Sequence, residues 1–232
     1  MVEFIVSVVL CAILGYLLGS INSSLLVGKL YNVDVRNHGS GNAGTTNVLR
    51  TLGKKAALLT FVGDLLKGIM ACLLGKAVMA IMGELFGRAV SLGINHPEHV
   101  GLMAAGTLCV IGHNWPVYFG FKGGKGVLTT FAVFLMMAPI PALITLGVFI
   151  LVVILSKYIS LASMLAAVFL PVFVFVAHLL KWNVNVPDIA FYLAFCIPLS
   201  ALIIVKHKKN IRKLIDGTEN KLSLKKSKGG VE

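Results

Sequence analysis

Long stretches of apolar residues, almost free of charge, constrain this chain more than any other feature of its sequence. Seven stand out, at about residues 4–27, 56–75, 99–119, 127–138, 141–155, 159–180 and 189–205. A helix needs about 20 mostly apolar residues to cross the roughly 30 Å hydrocarbon layer of a membrane. The 232 residues are 57% apolar and only 13% charged, whereas soluble domains have about 45 to 50% and about 25%. The sequence therefore predicts an all-α, polytopic membrane protein.

The fourth and fifth stretches are short and are joined by Ala138-Pro139-Ile140-Pro141. Proline removes a backbone donor and restricts the residue before it. We therefore expect a turn between two helices, which gives seven transmembrane helices. One continuous tilted helix is the alternative, and it would leave six.

The distribution of basic residues favours seven spans over six. With seven, the loops 29–55, 120–126 and 156–158 and the tail from Lys206 lie on one side and carry 17 of the 21 Lys and Arg residues. Because basic loops tend to stay in the cytoplasm, we predict the N-terminus outside and the C-terminus inside. In such a protein the net charge of +12 indicates topology and contact with anionic lipid rather than with nucleic acid.

The rest of the composition indicates a single domain without bound metal. We expect one integral membrane domain over residues 1–220 and a mobile basic tail over residues 221–232. The four cysteines lie in apolar stretches without paired spacing, so we interpret them as small buried hydrophobes. The histidines near the outer ends of the spans are too dispersed for a metal site. The sequence thus predicts neither a metal nor another cofactor.

Three polar segments on the predicted cytoplasmic side carry the main functional signal. The first segment runs from Gly39 to Arg50 and follows the polar run Gly19-Ser20-Ile21-Asn22-Ser23-Ser24 near the end of the first apolar stretch. Its glycines let backbone amides converge on an anion, its Ser, Thr and Asn residues add donors, and Arg50 supplies a planar fork that suits phosphate. We interpret the first segment as a phosphate site, and an ordinary flexible loop is the alternative.

The second segment, residues 112–126, ends in Gly123-Gly124-Lys125-Gly126 just before the next predicted helix. The N-terminal amides of a helix favour a bound anion, so this glycine turn offers a second phosphate cradle. A basic turn at the membrane interface is the alternative.

The third segment, residues 206–219, places His207 and Asn210 three apart, on one face of a helix that can lie along the membrane surface. A plain basic flank after a span is the alternative there. Asp64 and Lys67 are also three apart, but inside the second apolar stretch. They can pair with each other or contact a substrate.

Several motifs in this order resemble one known family over almost the whole chain. They are G-S-I-N-S at 19–23, G-S-G-N-A-G-T-T-N-V-L-R at 39–50, G-D-L-L-K-G at 63–68, G-H-N-W-P-V-Y-F-G-F-K-G-G-K-G-V at 112–127, S-L-A-S at 160–163, K-H-K-K-N-I at 206–211 and G-T-E at 217–219. The sequence resembles the acyl-phosphate:glycerol-3-phosphate acyltransferases of bacterial inner membranes. The resemblance implies seven membrane helices with the active site facing the cytoplasm. It also implies transfer of a fatty acyl group from acyl phosphate to the 1-hydroxyl of glycerol 3-phosphate, giving lysophosphatidic acid and inorganic phosphate, the first step of phospholipid synthesis.

The resemblance and the local chemistry together give the candidate site residues. The catalytic candidates are Ser40, Arg50, Lys125, His207 and Asn210. The substrate-binding candidates are Gly39, Gly41, Asn42, Gly44, Thr46, Asn47, Lys67, Gly123, Gly124, Gly126 and Ser160. Because no residue looks like an activated nucleophile, we expect the substrate hydroxyl to attack directly. Either His207 or a substrate phosphate accepts the proton.

Two other classes of protein compete with this interpretation. A transporter for a phosphorylated metabolite would also use basic residues at a membrane mouth. Transporters, however, place polar residues at mid-membrane and often contain inverted repeats, whereas the polar residues here crowd one face. A membrane adaptor with a basic, lipid-binding tail is the third possibility. The enzyme interpretation expects acyl phosphate, glycerol 3-phosphate and membrane lipid as partners, and no nucleic acid.

Overall fold

The computed structural model describes residues 2–85, 97–180 and 189–222, and all regular secondary structure within them is helical. Its helices are α1 (Val2–Ser20), α2 (Ser23–Leu30), α3 (Thr45–Thr51), α4 (Lys54–Leu85), α5 (Pro97–Asn114), α6 (Val127–Met137), α7 (Pro139–Ser156), α8 (Ile159–Leu179), α9 (Ile189–Lys206) and α10 (Lys208–Ile215). Short 3₁₀ turns occur at Val35–Asn37 and Val117–Phe119. The all-helical prediction is confirmed for these residues. Most of the predicted mobile tail, residues 223–232, lies outside them.

Six helical segments are long and apolar enough to cross a membrane. They are Val2–Leu30, Lys54–Leu85, Pro97–Phe119, Pro139–Ser156, Ile159–Leu179 and Ile189–Lys206. The fourth predicted stretch forms α6, which has only 11 residues. At 1.5 Å per residue, α6 is about 16 Å long, roughly half the thickness of the hydrocarbon layer. The prediction of a multi-pass membrane protein is confirmed, and six segments of the described residues are long enough to serve as full-length spans.

The proline-rich junction separates two helices, as expected. α6 ends at Met137, and α7 begins at Pro139 after the non-helical residue Ala138, with φ −140° and ψ 73°. Proline is tolerated at the start of a helix because the amide it lacks would have no partner there. The chain also divides at this point into two compact units, Met1–Met137 and Ala138–Glu232.

In the first unit, α1 and α5 pack closely through small residues. Gly15 and Gly19 of α1 lie against the backbone of Ala105 and Cys109 of α5, and a Cβ added at either glycine would collide with that backbone. Small residues four apart are typical of membrane helices, whose backbones must approach closely to gain packing energy. This packing sets the C-terminal end of α1 beside the C-terminal end of α5, where the second polar segment lies.

A small apolar cluster supports the first polar segment. It joins α2, α3, the start of α4 and the loop between them through buried side chains of Leu25, Val27, Val35, Ala43, Val48, Ala56 and Ala57. Burying such side chains stabilises the fold by about 1.5–3 kcal/mol for each large one. The first segment therefore rests on a packed core within its unit instead of forming a free linker.

In the second unit, α8 packs against both α7 and α9, and α10 follows α9 after one residue, His207. The lysines of α10 are exposed, whereas Ile211 and Leu214 are half-buried and Ile215 is exposed. α10 thus has the basic and apolar residues expected of a helix at a membrane surface. The four cysteines of the chain are free and buried, as predicted.

Candidate active site

The first glycine segment folds around the side chain of Asn47. Gly39 and Gly41 adopt positive φ angles of 61° and 70°, a region that favours glycine. Asn47 is 1% exposed and accepts a hydrogen bond from the backbone N–H of Ser40 at 2.8 Å. Its amide group donates to two backbone carbonyls, those of Val35 at 2.7 Å and of residue 38 at 3.0 Å. Asn47 therefore holds the loop from inside, and the Ser40 residue that it fixes is exposed.

The other candidates of the first segment lie nearer the surface. Asn42, Gly44, Thr46 and Arg50 are all half-buried. Arg50 is in the last turn of α3, and Gly44 precedes the first residue of that helix. A ligand approaching this segment would therefore meet hydroxyl, amide and guanidinium donors on a short helix and the loop before it.

The second glycine segment packs tightly on His113. The backbone N–H of Gly124 donates to the carbonyl oxygen of His113 at 3.1 Å. A Cβ added at Gly124 would collide with His113 Nε2 and would lie 2.6 Å from the carbonyl oxygen of Ala43. Gly126 has a positive φ of 77°, and a Cβ there would lie 2.9 Å from Asn114 Oδ1. Gly124 needs glycine because there is no space for a side chain, and Gly126 needs it for its backbone conformation as well.

The structure brings the first and second segments together. Ala43 of the first segment approaches Gly124, and Arg36, which lies just before the first segment, reaches the second segment. Its Nη1 donates to the carbonyl oxygens of Phe119 at 3.0 Å and Lys122 at 3.4 Å. The two glycine-rich segments are therefore neighbours within the first unit. Lys125, which is half-buried, lies in the second of them.

An acidic residue fixes Arg36 in this bridging position. Asp34 accepts hydrogen bonds from Arg36 Nε at 3.0 Å and Arg36 Nη2 at 2.8 Å. These hydrogen bonds hold the pKa of the Asp34 carboxyl below its usual value and raise the pKa of Arg36. Asp34 therefore stays ionised and keeps the guanidinium directed at the carbonyls of the second segment.

A buried polar cluster adjoins the second segment. It consists of Asp64 and Lys67 of α4 and His113 of α5, which are 2%, 6% and 5% exposed. Lys67 Nζ lies 2.9 Å from Asp64 Oδ1 and 2.9 Å from His113 Nδ1. It also donates to the carbonyl oxygens of Gly19 at 3.1 Å and Ile21 at 3.0 Å. Asp64 and Lys67 therefore form the mutual ion pair that was one of the two alternatives.

The third segment is organised by Glu219. Its Oε1 accepts hydrogen bonds from Ser160 Oγ at 3.0 Å and from Asn210 Nδ2 at 2.9 Å, and its Oε2 accepts from Asn210 Nδ2 at 3.1 Å. The backbone N–H of Leu222 donates to the carbonyl oxygen of Lys157 at 2.7 Å, which fastens the chain after Glu219 to the residue that ends α7. Two candidates 50 positions apart in the chain, Ser160 and Asn210, are therefore joined through one carboxylate.

His207 lies at the junction between α9 and α10 and is 2% exposed. Its Nδ1 is 2.8 Å from the carbonyl oxygen of Ile203, and a carbonyl can only accept. The hydrogen of the neutral ring is therefore assigned to Nδ1, which leaves Nε2 as the nitrogen able to take up a proton.

Three residues that organise these segments were not among the predicted candidates. His113 and Glu219 belong to the quoted motifs, so the G-H-N-W and G-T-E patterns contained a signal for them. The sequence contained no signal for Arg36, because its role depends on a carbonyl 83 residues further along the chain. No group of three or more His, Cys, Asp or Glu side chains able to hold a metal occurs in the described part of the chain.

Comparison with known proteins matches this chain to one family along most of its length. The family described as "Glycerol-3-phosphate acyltransferase" matches residues 9–217. A relative with that name from Alkaliphilus metalliredigens (strain QYMF) is 41% identical over 219 residues, which cover 94% of this chain and 97% of the relative. Another from Clostridioides difficile (strain 630) is 40% identical over 227 residues, covering 96% and 98%.

Two solved structures resemble this one in both fold and sequence. One is the crystal structure of PlsY (YgiH), described as an integral membrane glycerol 3-phosphate acyltransferase, in the glycerol 3-phosphate form. Its TM-score is 0.76 at 38% identity, and the match covers 94% of this chain and 96% of that one. The lysophosphatidic acid form gives a TM-score of 0.75 at 37% identity, with the same coverage.

Proposed function

Because the chain belongs to the glycerol-3-phosphate acyltransferase family and is therefore an acyltransferase, we propose that it acylates the 1-hydroxyl of glycerol 3-phosphate. The donor is a fatty acyl phosphate, and the products are lysophosphatidic acid and inorganic phosphate. The observation that carries this proposal is the contact between the two glycine segments, made by Ala43 with Gly124 and by Arg36. Two adjacent anion-binding loops suit a reaction between two phosphorylated reactants.

In the proposed reaction the primary hydroxyl of glycerol 3-phosphate attacks the acyl carbonyl carbon. A new ester C–O bond forms, and the bond between the acyl carbon and the phosphate oxygen breaks, so that phosphate leaves with the bonding electrons. Ser40, Arg50 and Lys125 stabilise the charge that develops on the carbonyl oxygen and the leaving phosphate. The glycine candidates of both segments, with Asn42 and Thr46, supply backbone and side-chain donors to the phosphates, and Asn47 holds the first loop in shape.

The hydroxyl proton goes to His207 Nε2 or to a substrate phosphate, whose second pKa is close to that of a histidine. The assignment of the ring hydrogen to Nδ1 supports Nε2 as the accepting atom. His207→Ala is expected to lower kcat by about 10²-fold or more if the histidine is the base. A variant that keeps most of its turnover would assign the proton to the substrate.

In the same proposal, the protein crosses the bacterial inner membrane seven times, with its N-terminus outside and its active site facing the cytoplasm. The short helix α6, preceded by the buried turn at Gly124 and Gly126, takes the place of one full-length span. Loops rich in Lys and Arg on a single side support this orientation. Labelling of single cysteines tests this orientation. The cysteines are introduced at Lys54 and Lys157 in a variant that lacks the four native cysteines. Both are expected to react only from the cytoplasmic side.

A defined assay tests the donor and the reaction together. Purified protein is incubated with palmitoyl phosphate, labelled glycerol 3-phosphate and a chelator, and the labelled lipid and inorganic phosphate are measured. Equal amounts of lysophosphatidic acid and phosphate are expected. Product formed from palmitoyl-CoA but not from palmitoyl phosphate would reject the proposed donor, and absence of product from both would reject the proposed activity.

A further inference from the structure

The ammonium group of Lys67 is fully used by the protein. It has three N–H donors and four acceptors within 3.1 Å, namely Asp64 Oδ1, His113 Nδ1 and the carbonyl oxygens of Gly19 and Ile21. Its side chain is 5% exposed. A substrate phosphate could reach Lys67 only by displacing partners that also fix the end of α1. The contacts of Lys67 therefore point inward, toward the protein, rather than toward a ligand.

Lys67 determines how the ring of His113 is oriented. An ammonium can only donate, so the short contact of 2.9 Å between Nζ and Nδ1 requires Nδ1 to accept. The distance of 3.6 Å from Nδ1 to Asp64 Oδ1 is too long for a competing hydrogen bond. With Nδ1 accepting, the ring is assigned as neutral with its hydrogen on Nε2, and Nε2 faces Gly124.

His113 in turn determines where the second glycine segment lies. Its carbonyl oxygen holds the Gly124 N–H at 3.1 Å, and its ring fills the space on which a Gly124 side chain would fall. A rotation of this ring would therefore push the turn that carries Lys125. The chain of contacts runs from Asp64 to Lys67, then to His113 and the turn, and every member of it lies in the first unit.

The same cluster also connects the glycine turn to the end of α1. Lys67 donates to the carbonyls of Gly19 and Ile21, and the Ser23 N–H lies 3.4 Å from Asp64 Oδ1. Buried charges are costly unless they are paired and hydrogen-bonded, and apolar residues of similar volume often stabilise a protein equally well. A charged cluster at this depth thus supplies geometry that apolar packing would not.

We propose that Lys67 and Asp64 are positioning residues, which act through His113 to place the glycine turn at Gly123–Gly126 for its phosphorylated substrate. This inference rests on the proposed acyltransferase function. It assigns Lys67 a role that differs from the direct substrate contact expected from the sequence.

The main test removes both charges at once, with Asp64→Leu combined with Lys67→Met. Because neither charge is left alone in the interior, this double variant is expected to fold, with some loss of thermal stability in detergent because the carbonyls of Gly19 and Ile21 lose their donor. Misplacing a binding loop by about 1 Å can cost about 10²-fold. We expect a fall of that size in kcat/KM for one phosphorylated substrate, through its KM, and an unchanged KM for the other substrate.

A pair of substitutions at His113 separates orientation from packing. In His113→Asn the amide oxygen stands close to the position of Nδ1 and can still accept from Lys67, whereas His113→Leu offers no acceptor. The kcat/KM of the Asn variant is expected to be at least tenfold higher than that of the Leu variant. Thr107→Val is the matched control, since its hydroxyl is also buried on α5 and has no hydrogen-bond partner among the described residues. It is expected to leave both KM values unchanged.

Wild-type KM and kcat in the folded double variant would overturn the proposal. If the double variant does not fold, the two His113 variants test the proposal in its place. Equal activity of the Asn and Leu variants would overturn the proposal. The wild-type protein is assayed alongside with palmitoyl phosphate and glycerol 3-phosphate. Failure of the wild type to form product would reject the proposed function itself, which keeps the two failures distinct.

Discussion

In the first glycine segment Gly39 and Gly41 are exposed and adopt positive φ angles, whereas in the second segment Gly124 is buried against His113 and Ala43. The first loop is held in shape by hydrogen bonds from the side chain of Asn47. The second is held by close contact between backbone and ring. Gly39 and Gly41 need a positive φ and a Cβ at Gly39 would also collide with Asn47 Oδ1, so conformation and space both favour glycine in the first segment, whereas at Gly124 space alone does. The two segments should respond differently to substitution.

The largest effect is expected when volume is added to the second segment. In Gly124→Ala the new Cβ collides with His113 Nε2 and with the carbonyl of Ala43. Overpacking of this kind costs about 1–3 kcal/mol, and relief requires the turn to move away from the first segment. Acyl transfer should fall below a few per cent of wild type, and the unfolding temperature in detergent should also fall.

Gly83→Ala is the matched control for this substitution. Gly83 lies in α4, and no other part of the described residues comes within 4 Å of a Cβ added there, so alanine should keep full activity and stabilise the helix by up to about 1 kcal/mol. Near-normal activity in Gly124→Ala would show that the second segment does not depend on close packing.

The next largest effect is expected at Asn47 in the first segment. Asn47→Ala leaves the Ser40 N–H and two carbonyl oxygens without their partner. Unsatisfied buried groups cost about 1–3 kcal/mol, so we expect about 2 kcal/mol of lost stability and at least a tenfold loss of kcat. Asn47→Asp keeps the acceptor for Ser40 but loses both donated bonds, and should fall between alanine and wild type. If Asp and Ala variants lose activity equally, the bond to Ser40 is unimportant.

A smaller effect is expected at the bridge between the segments. Arg36→Lys keeps the positive charge but removes the planar fork that binds Asp34 and the carbonyls of Phe119 and Lys122 together. We expect a loss of about 1 kcal/mol and a fall of a few-fold in kcat/KM. Combination with Asn47→Asp, measured as a double-mutant cycle, should give a non-additive loss. Strict additivity would mean that the two segments behave independently.

The smallest effect is expected from acid at Asp34. Its folded-state pKa is lowered by Arg36, so its contribution to stability is complete above the unfolded-state pKa of about 3.9. That contribution is lost as the pH falls through the lower folded-state value. Since the carboxyl is 38% exposed, solvent screening limits it to about 0.5 kcal/mol.

Thermal unfolding from pH 6 to pH 3 tests this contribution. The Asp34→Asn variant should lose slightly less stability over this range than the wild type. A variant with the same pH dependence as the wild type would exclude Asp34 as the titrating group.

Much of the fold was predictable because each membrane helix appears in the sequence as a long apolar stretch. The stretches near residues 56–75 and 159–180 correspond to α4 and α8, and the prolines at 139 and 141 marked the break after α6. The thickness of the bilayer and the cost of unpaired backbone groups fix these features locally. The length of α6 was less predictable, because an apolar composition does not show that a neighbouring turn is buried.

The candidate site was predictable as a set of residue types but not as a set of contacts. Glycine runs beside Arg50 and Lys125 indicated anion binding from composition alone. The role of Asn47 as an internal support depends on which of its atoms face the loop, and the pairing of Ser160 with Asn210 depends on a carboxylate supplied by Glu219. Hydrogen-bond partners distant in sequence leave no periodic pattern.

The sequence by itself determined that this protein spans a membrane, is helical, and carries glycine-rich polar segments between its helices. Hydrophobicity, chain reach and proline stereochemistry act over a few residues, so they can be read along the chain. Only the tertiary structure decided that Lys67 faces His113 and that Arg36 joins the first two segments. Such contacts arise when small residues let helices approach closely, and the energy of a buried charge depends on every partner that surrounds it.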